Sequence, residues 1–123
     1  MPVKPLNASA LRSLLDRIEN AREGEIRSII PLSPTSIQIR LSVQDKARGY
    51  DWIDVMFQVE GVNDARLLSD AVLGSLDMSE GITVEIIHDM AALAIGHCDG
   101  RANEAPLYVI GKTIGYEELP FSG

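Results

Sequence analysis

Between Thr35 and Val62 the chain holds two runs of alternating apolar and polar residues on either side of a polar turn. Ile37, Ile39, Leu41 and Val43 share one face of the first run and Gln38, Arg40 and Ser42 the other, the two-residue period of a half-buried strand. In the second run Ile53, Val55, Phe57 and Val59 share a face, while Trp52, Asp54, Met56, Gln58 and Glu60 occupy the opposite one. Apolar bulk on both faces suits an inner strand. From Gln44 to Tyr50 the chain carries Asp45, Lys46, Arg48 and Gly49, a composition that turns a chain, so a hairpin with a long loop is predicted.

Upstream, residues 1–7 contain two prolines and an asparagine and read as an extended arm. The period then becomes helical from Ser9 to Glu23, with Leu11, Leu14, Leu15 and Ile18 on one stripe. Asn7 or Ser9 can cap the start, and Gly24 sits where a left-handed C-terminal residue is wanted. Glu25 to Ile30 predicts a short strand stopped by Pro31 and Pro34. Downstream, Gly61 to Asp64 is turn chemistry, and residues 65–76 read as a short helix or an irregular edge. Ile82, Val84 and Ile86 alternate after Gly81, Ala91 to Cys98 reads as a strand, and Leu107 to Ile114 pairs with it across a polar loop. The segment from Glu117 to Phe121 reads as a tail.

One helix followed by hairpin-length links predicts an α+β fold. An N-terminal amphipathic helix packs on a mainly antiparallel sheet or small sandwich of about six strands, in a single domain over residues 1–123. At 46% hydrophobic the chain can bury a core without metal or disulfide staples, and its one cysteine, Cys98, leaves no internal disulfide to form. No apolar leader or membrane-length run is visible, so a cytoplasmic protein without membrane attachment is expected. The net charge of −7 is uneven: residues 1–49 sum to +3 and residues 50–123 to −10. Such an acidic surface repels phosphate backbones, which disfavours nucleic acid, and accommodates a basic protein partner.

Candidate chemistry is thin. Gly111-Lys112-Thr113 resembles the end of a phosphate-binding loop, but the position that needs a further glycine is Pro106. His88, His97 and Cys98, with Asp89 and Asp99, are the one concentration of ligand and acid-base groups, and would form a metal or Cys/His centre if their strands were neighbours. Adjacent strand residues point to opposite faces, however, so His97 and Cys98 do not aim at one metal; a solvent-facing histidine and a buried structural cysteine account for the same residues. Asp54 and Glu60 lie about 20 Å apart along an extended strand, too far to share a substrate bond, and read as a solvated face. On that face Trp52 and Met56, with Asp54, are candidate partner contacts, but burial of Trp52 and Met56 under the helix is the preferred reading. No Gly-x-Ser-x-Gly, HExxH or dinucleotide fingerprint is present, and no cofactor is expected.

The run from Trp52 to Val62, with Phe57, Gly61 and Val62, and the later run from Gly81 to Ile87 resemble the strand, turn and strand of small bacterial β-rich domains. Many of these are uncharacterised, and some are grouped with immunity proteins of polymorphic toxin systems. The resemblance covers about a third of the chain, is structural rather than chemical, and brings no site residues. It implies a non-enzymatic bacterial domain. The expected function is therefore a small binding protein, immunity-like, with a metal-dependent or Cys/His enzyme centred on His88, His97 and Cys98 as the alternative. A homodimer is also expected, because Leu107 to Ile114 carries only Lys112 to blunt an exposed sheet edge.

Overall fold

The computed structural model describes residues 4–68, 73, 76–96 and 105–121. The expected arm pairs instead of hanging free: β1 (Lys4–Pro5) aligns with the far end of the chain, Lys4 opposite Tyr116, and buries Leu6 behind it. Helix α1 (Ala8–Arg17) starts where Asn7 Oδ1 accepts from the Ala10 N–H at 2.8 Å. It ends six residues sooner than its apolar stripe suggests. Glu19, Asn20 and Ala21 all have φ between 53° and 58°, so the chain turns left-handed with no glycine to ease it. Gly24 is not the left-handed residue expected; a Cβ there would lie 2.9 Å from Ser42 O, so its smallness serves close packing on the sheet.

Strand β2 (Glu25–Ser33) runs through Pro31 instead of stopping at it. It can do so because β2 is a sheet edge, where a missing N–H costs no ladder bond. The predicted hairpin is present: β3 (Ser36–Asp45) and β4 (Asp51–Glu60) pair without a slip from Ser36–Glu60 to Asp45–Asp51. Their loop is one 3₁₀ turn, Lys46–Arg48, capped by Asp45 Oδ1 on the Ala47 N–H at 2.9 Å and released through Gly49 and Tyr50 with positive φ.

After Gly61 the chain leaves the first sheet. The segment read as short helix or irregular edge opens with β5 (Asp64–Arg66), and Leu73 is helical. Strands β6 (Ile82–Ile87) and β7 (Met90–Ile95) form a second hairpin, turned by His88 and Asp89. The single strand expected over Leu107 to Ile114 is two, β8 (Leu107–Gly111) and β9 (Thr113–Leu119), and β9 takes in most of the supposed tail. The described residues thus form nine strands in two antiparallel sheets, β1-β9-β4-β3-β2 and β5-β8-β7-β6, more strand-rich than the expected six. Leu107 to Ile114 is no edge: β8 lies between β5 and β7, and β9 between β1 and β4.

Two bent ribbons join the sheets. β4 continues into β5 and β8 into β9, each partner antiparallel to the other on both sides of the bend. At the corner Lys112 N–H donates to Glu60 O at 2.8 Å and Asn63 N–H to Ile110 O at 2.9 Å. A Cβ on Gly111 would sit 2.6 Å from Glu60 O, so only glycine lets the ribbons cross there.

Both sheets turn their apolar faces inward onto one core: Ile39, Leu41, Val55 and Phe57 from the first, Leu93, Ile95, Leu107 and Val109 from the second. Each such side chain contributes about 1.5–3 kcal/mol by leaving water. Leu11, Leu14 and Ile18 carry α1 into the same core. The helix is fixed by Arg17, which forks onto two carboxylates: Nε and Nη2 donate to Asp45 at 3.3 and 2.5 Å, and Nη1 and Nη2 to Glu118 at 3.2 and 2.7 Å. Asp45 is fully buried, and the Arg17 hydrogen bonds hold both its carboxyl and that of Glu118 below the usual carboxylate range, outweighing desolvation. A carboxyl depressed in the folded state stabilises fully above its unfolded value and loses that contribution as pH falls through the folded one. Stability is therefore expected to fall steeply on acidification below about pH 4. Asp45→Asn should lose about 2 kcal/mol at neutral pH and show a shallower acid limb, both read by urea unfolding at stepped pH.

Candidate partner-binding face

The outward face of the first sheet is built around a buried carboxylate. Alternation places Asp54 beside Trp52 and Met56 on the side of β4 away from the core, as the sequence pattern predicts, but Asp54 is fully buried. The reading of Asp54 and Glu60 as a solvated pair is thus corrected: only Glu60 is exposed. Asp54 is covered by its own partners, because Ser42 lies directly across the ladder and Arg40 one position diagonally away. Arg40 Nε donates to Oδ2 at 2.6 Å, and Ser42 Oγ donates to Oδ1 at 2.6 Å. Ser42 Oγ in turn accepts from Arg27 Nε at 2.7 Å. Arg27 reaches it because β2 carries a bulge between Ile26 and Ser28, which turns the extra residue onto this face. Gln38 Nε2 and Gln58 Oε1 close the row at 3.0 Å.

Aromatic rings stand at the end of this polar row. Trp52, 38% exposed, meets Phe121, 43% exposed, with ring centroids 5.7 Å apart and planes tilted by 32°. The Arg27 guanidinium lies 5.5 Å from the Phe121 centroid. A hollow of about 310 Å³ opens beneath them, walled by Arg48, Ile53, Leu119 and Pro120 as well as the rings. Met56 is buried. The helix does not cover Trp52 or Met56: its apolar residues enter the core on the other side of the sheet, so burial of this pair beneath α1 is not what the fold does. Sequence reasoning missed Arg27, Arg40, Ser42 and Phe121.

The second sheet's outer face carries a smaller cluster. Tyr108 donates its hydroxyl to Asp64 Oδ1 at 3.0 Å, and Arg66 lies 5.4 Å from its ring centroid while bonding Ala105 O at 3.2 Å. Desolvation, then the Asp64 bond, pushes the phenol above its ordinary value. This bracing ties β5 to β8.

His88 sits exposed at the tip of the β6–β7 turn with φ of 50°. His97 and Cys98 lie outside the described residues, so their convergence with His88 does too. Among the described residues no group of three or more His, Cys, Asp and Glu side chains is placed to hold a metal. Gly111, Lys112 and Thr113 make the sheet-to-sheet crossing, extended on both sides, and do not curl round a phosphate. No helix among them is long and apolar enough to cross a membrane.

These elements define a two-sheet antiparallel α+β domain with an aromatic and arginine-bearing sheet face. No family model, curated protein or solved structure matches the chain.

The buried network makes a direct prediction. Asp54→Ala leaves Arg40 and Ser42 without their acceptor and should cost about 2–4 kcal/mol of stability. Trp52→Ala, on a half-exposed ring, should cost about 1 kcal/mol or less. Equal losses in denaturant unfolding would contradict the assignment of Asp54 as the support and Trp52 as the surface.

Proposed function

We propose that this chain is a small non-enzymatic binding protein, immunity-like and cytoplasmic, which docks a basic protein partner on the outer face of its first sheet. The observation that carries the reading is the pair of exposed rings, Trp52 and Phe121, held on a rigid sheet by a buried polar network. Aromatic residues beside arginine are the composition that dominates protein interfaces. The face is net acidic. Arg27 is answered by Glu25 at 3.4 Å and Arg40 by Asp54, while among the described residues no salt bridge takes up Glu60 or Glu117. With a net charge of −7, Glu60 and Glu117 steer a cationic partner toward this sheet, where the rings then supply contact area.

Trp52 is the chain's one tryptophan, so its emission reports this face without a label. Titrating the product of the neighbouring gene, the expected toxin, should shift that emission and give an affinity that falls with salt. Trp52→Ala, followed by calorimetry, should weaken binding about tenfold or more. Unchanged affinity in that variant would remove this face as the docking surface.

Self-association belongs to the same reading, but on a different edge from the one the sequence suggests. With β8 and β9 interior, the long free edge is β2, where Ile30 is 48% and Leu32 50% exposed. Pro31 removes one donor from that edge, so pairing there rests on the two apolar side chains. Sedimentation at micromolar concentration should show a dimer that Leu32→Lys returns to monomer; a monomeric native chain over that range would refute it.

A further inference from the structure

The groove beside α1 lies on the core side of the first sheet, away from the Trp52 face, and nothing in the proposed docking uses it. Its volume is about 630 Å³, within the range of sites that hold a small molecule. Leu11 and Leu15 on the helix and Ile86 on β6 give it an apolar floor. Its rim is charged, but not evenly satisfied. Asp16 is met by Lys46 at 3.3 Å, and Glu19 accepts the Tyr50 hydroxyl at 3.3 Å. Arg12 and Arg22, from the helix and from the turn after it, also line the groove, are exposed, and have no hydrogen-bond or ion partner among the described residues. With Asp16 answered by Lys46, the two guanidiniums leave the rim of this apolar floor locally cationic in a chain of net charge −7.

From this we propose that the groove binds a single-chain aliphatic carboxylate, its tail on Leu11, Leu15 and Ile86 and its head between Arg12 and Arg22. The planar fork of arginine suits a carboxylate, and the short floor of three apolar side chains suits one alkyl chain. A partner helix would demand a longer stripe of anchors than these three supply.

The test uses the full chain and decanoate below its micelle concentration, followed by calorimetry and by amide shifts in two-dimensional NMR. Decanoate should bind and move the signals of Leu11, Leu15 and Ile86. Decanol, which keeps the tail, and acetate, which keeps the head, should each bind at least about tenfold more weakly. Arg12→Gln with Arg22→Gln should cost decanoate about tenfold in affinity, since both positions are exposed and unpaired. Binding of decanol as tight as decanoate, shifts elsewhere on the chain, or binding of an acidic amphipathic peptide where decanoate fails would each overturn the proposal.

Discussion

Arg17 ties together with charge three parts of the chain that the strand ladders and the core also bring close. It ends the N-terminal helix, Asp45 ends the first strand of the central hairpin, and Glu118 lies on the last strand of the same sheet. One guanidinium spans both carboxylates, and both face the core side of the sheet, where an unpaired charge is costly. Arg48 adds a second cation 3.4 Å from Asp45, so the buried acid is answered from helix and loop alike. Removing the guanidinium would leave Glu118 without its ion partner and Asp45 with Arg48 alone, and would leave the helix held by its apolar residues only.

The hairpin repeats this device on its other side. Asp45 and Asp54 are both fully buried, one on the core face and one on the outer face, each answered by an arginine from a different element or strand. Slipping the hairpin by one residue would turn Asp54 into the apolar core and Val55 out of it, and would part Asp54 from Arg40 and Ser42. The two aspartates thus hold the register that the apolar alternation alone would leave to packing. The aromatic pair rests on a surface fixed in this way.

The strongest periodicity was the best guide to the fold. Ile37 to Val43 and Ile53 to Val59 gave strand type, face and pairing, because alternation and a turn-forming loop are local signals. The register was not legible: the loop read from Gln44 to Tyr50 is longer than the observed one and would set Ser42 opposite Trp52, whereas pairing continues to Asp45 with Asp51 and sets Ser42 opposite Asp54. What local reading could not give was the end of α1, where Glu19 to Ala21 adopt positive φ against their own preference under packing imposed from elsewhere. Nor could it split the apolar run after Leu107, whose bend at Gly111 is forced by the approach of Glu60, fifty-one residues earlier in the chain. Arg27 and Phe121 were invisible for the same reason: a bulge and a ring contact between distant segments put them on the face.

The bent ribbons bear on how the chain is made. During synthesis β4 emerges early, but the strand that completes its other side, β9, follows only after the whole second sheet has been translated. Until then an inner strand rich in valine and isoleucine stands as a naked edge, and the ladder that will cover it closes a loop from Asp54 to Leu119. Such distant pairing folds slowly and keeps a sticky intermediate in being while it waits. The second sheet, β5 to β8, is complete in the chain before β9 appears, so it is the first sheet that waits, and the nascent chain is exposed to aggregation, or to a holding chaperone, until β9 is in place.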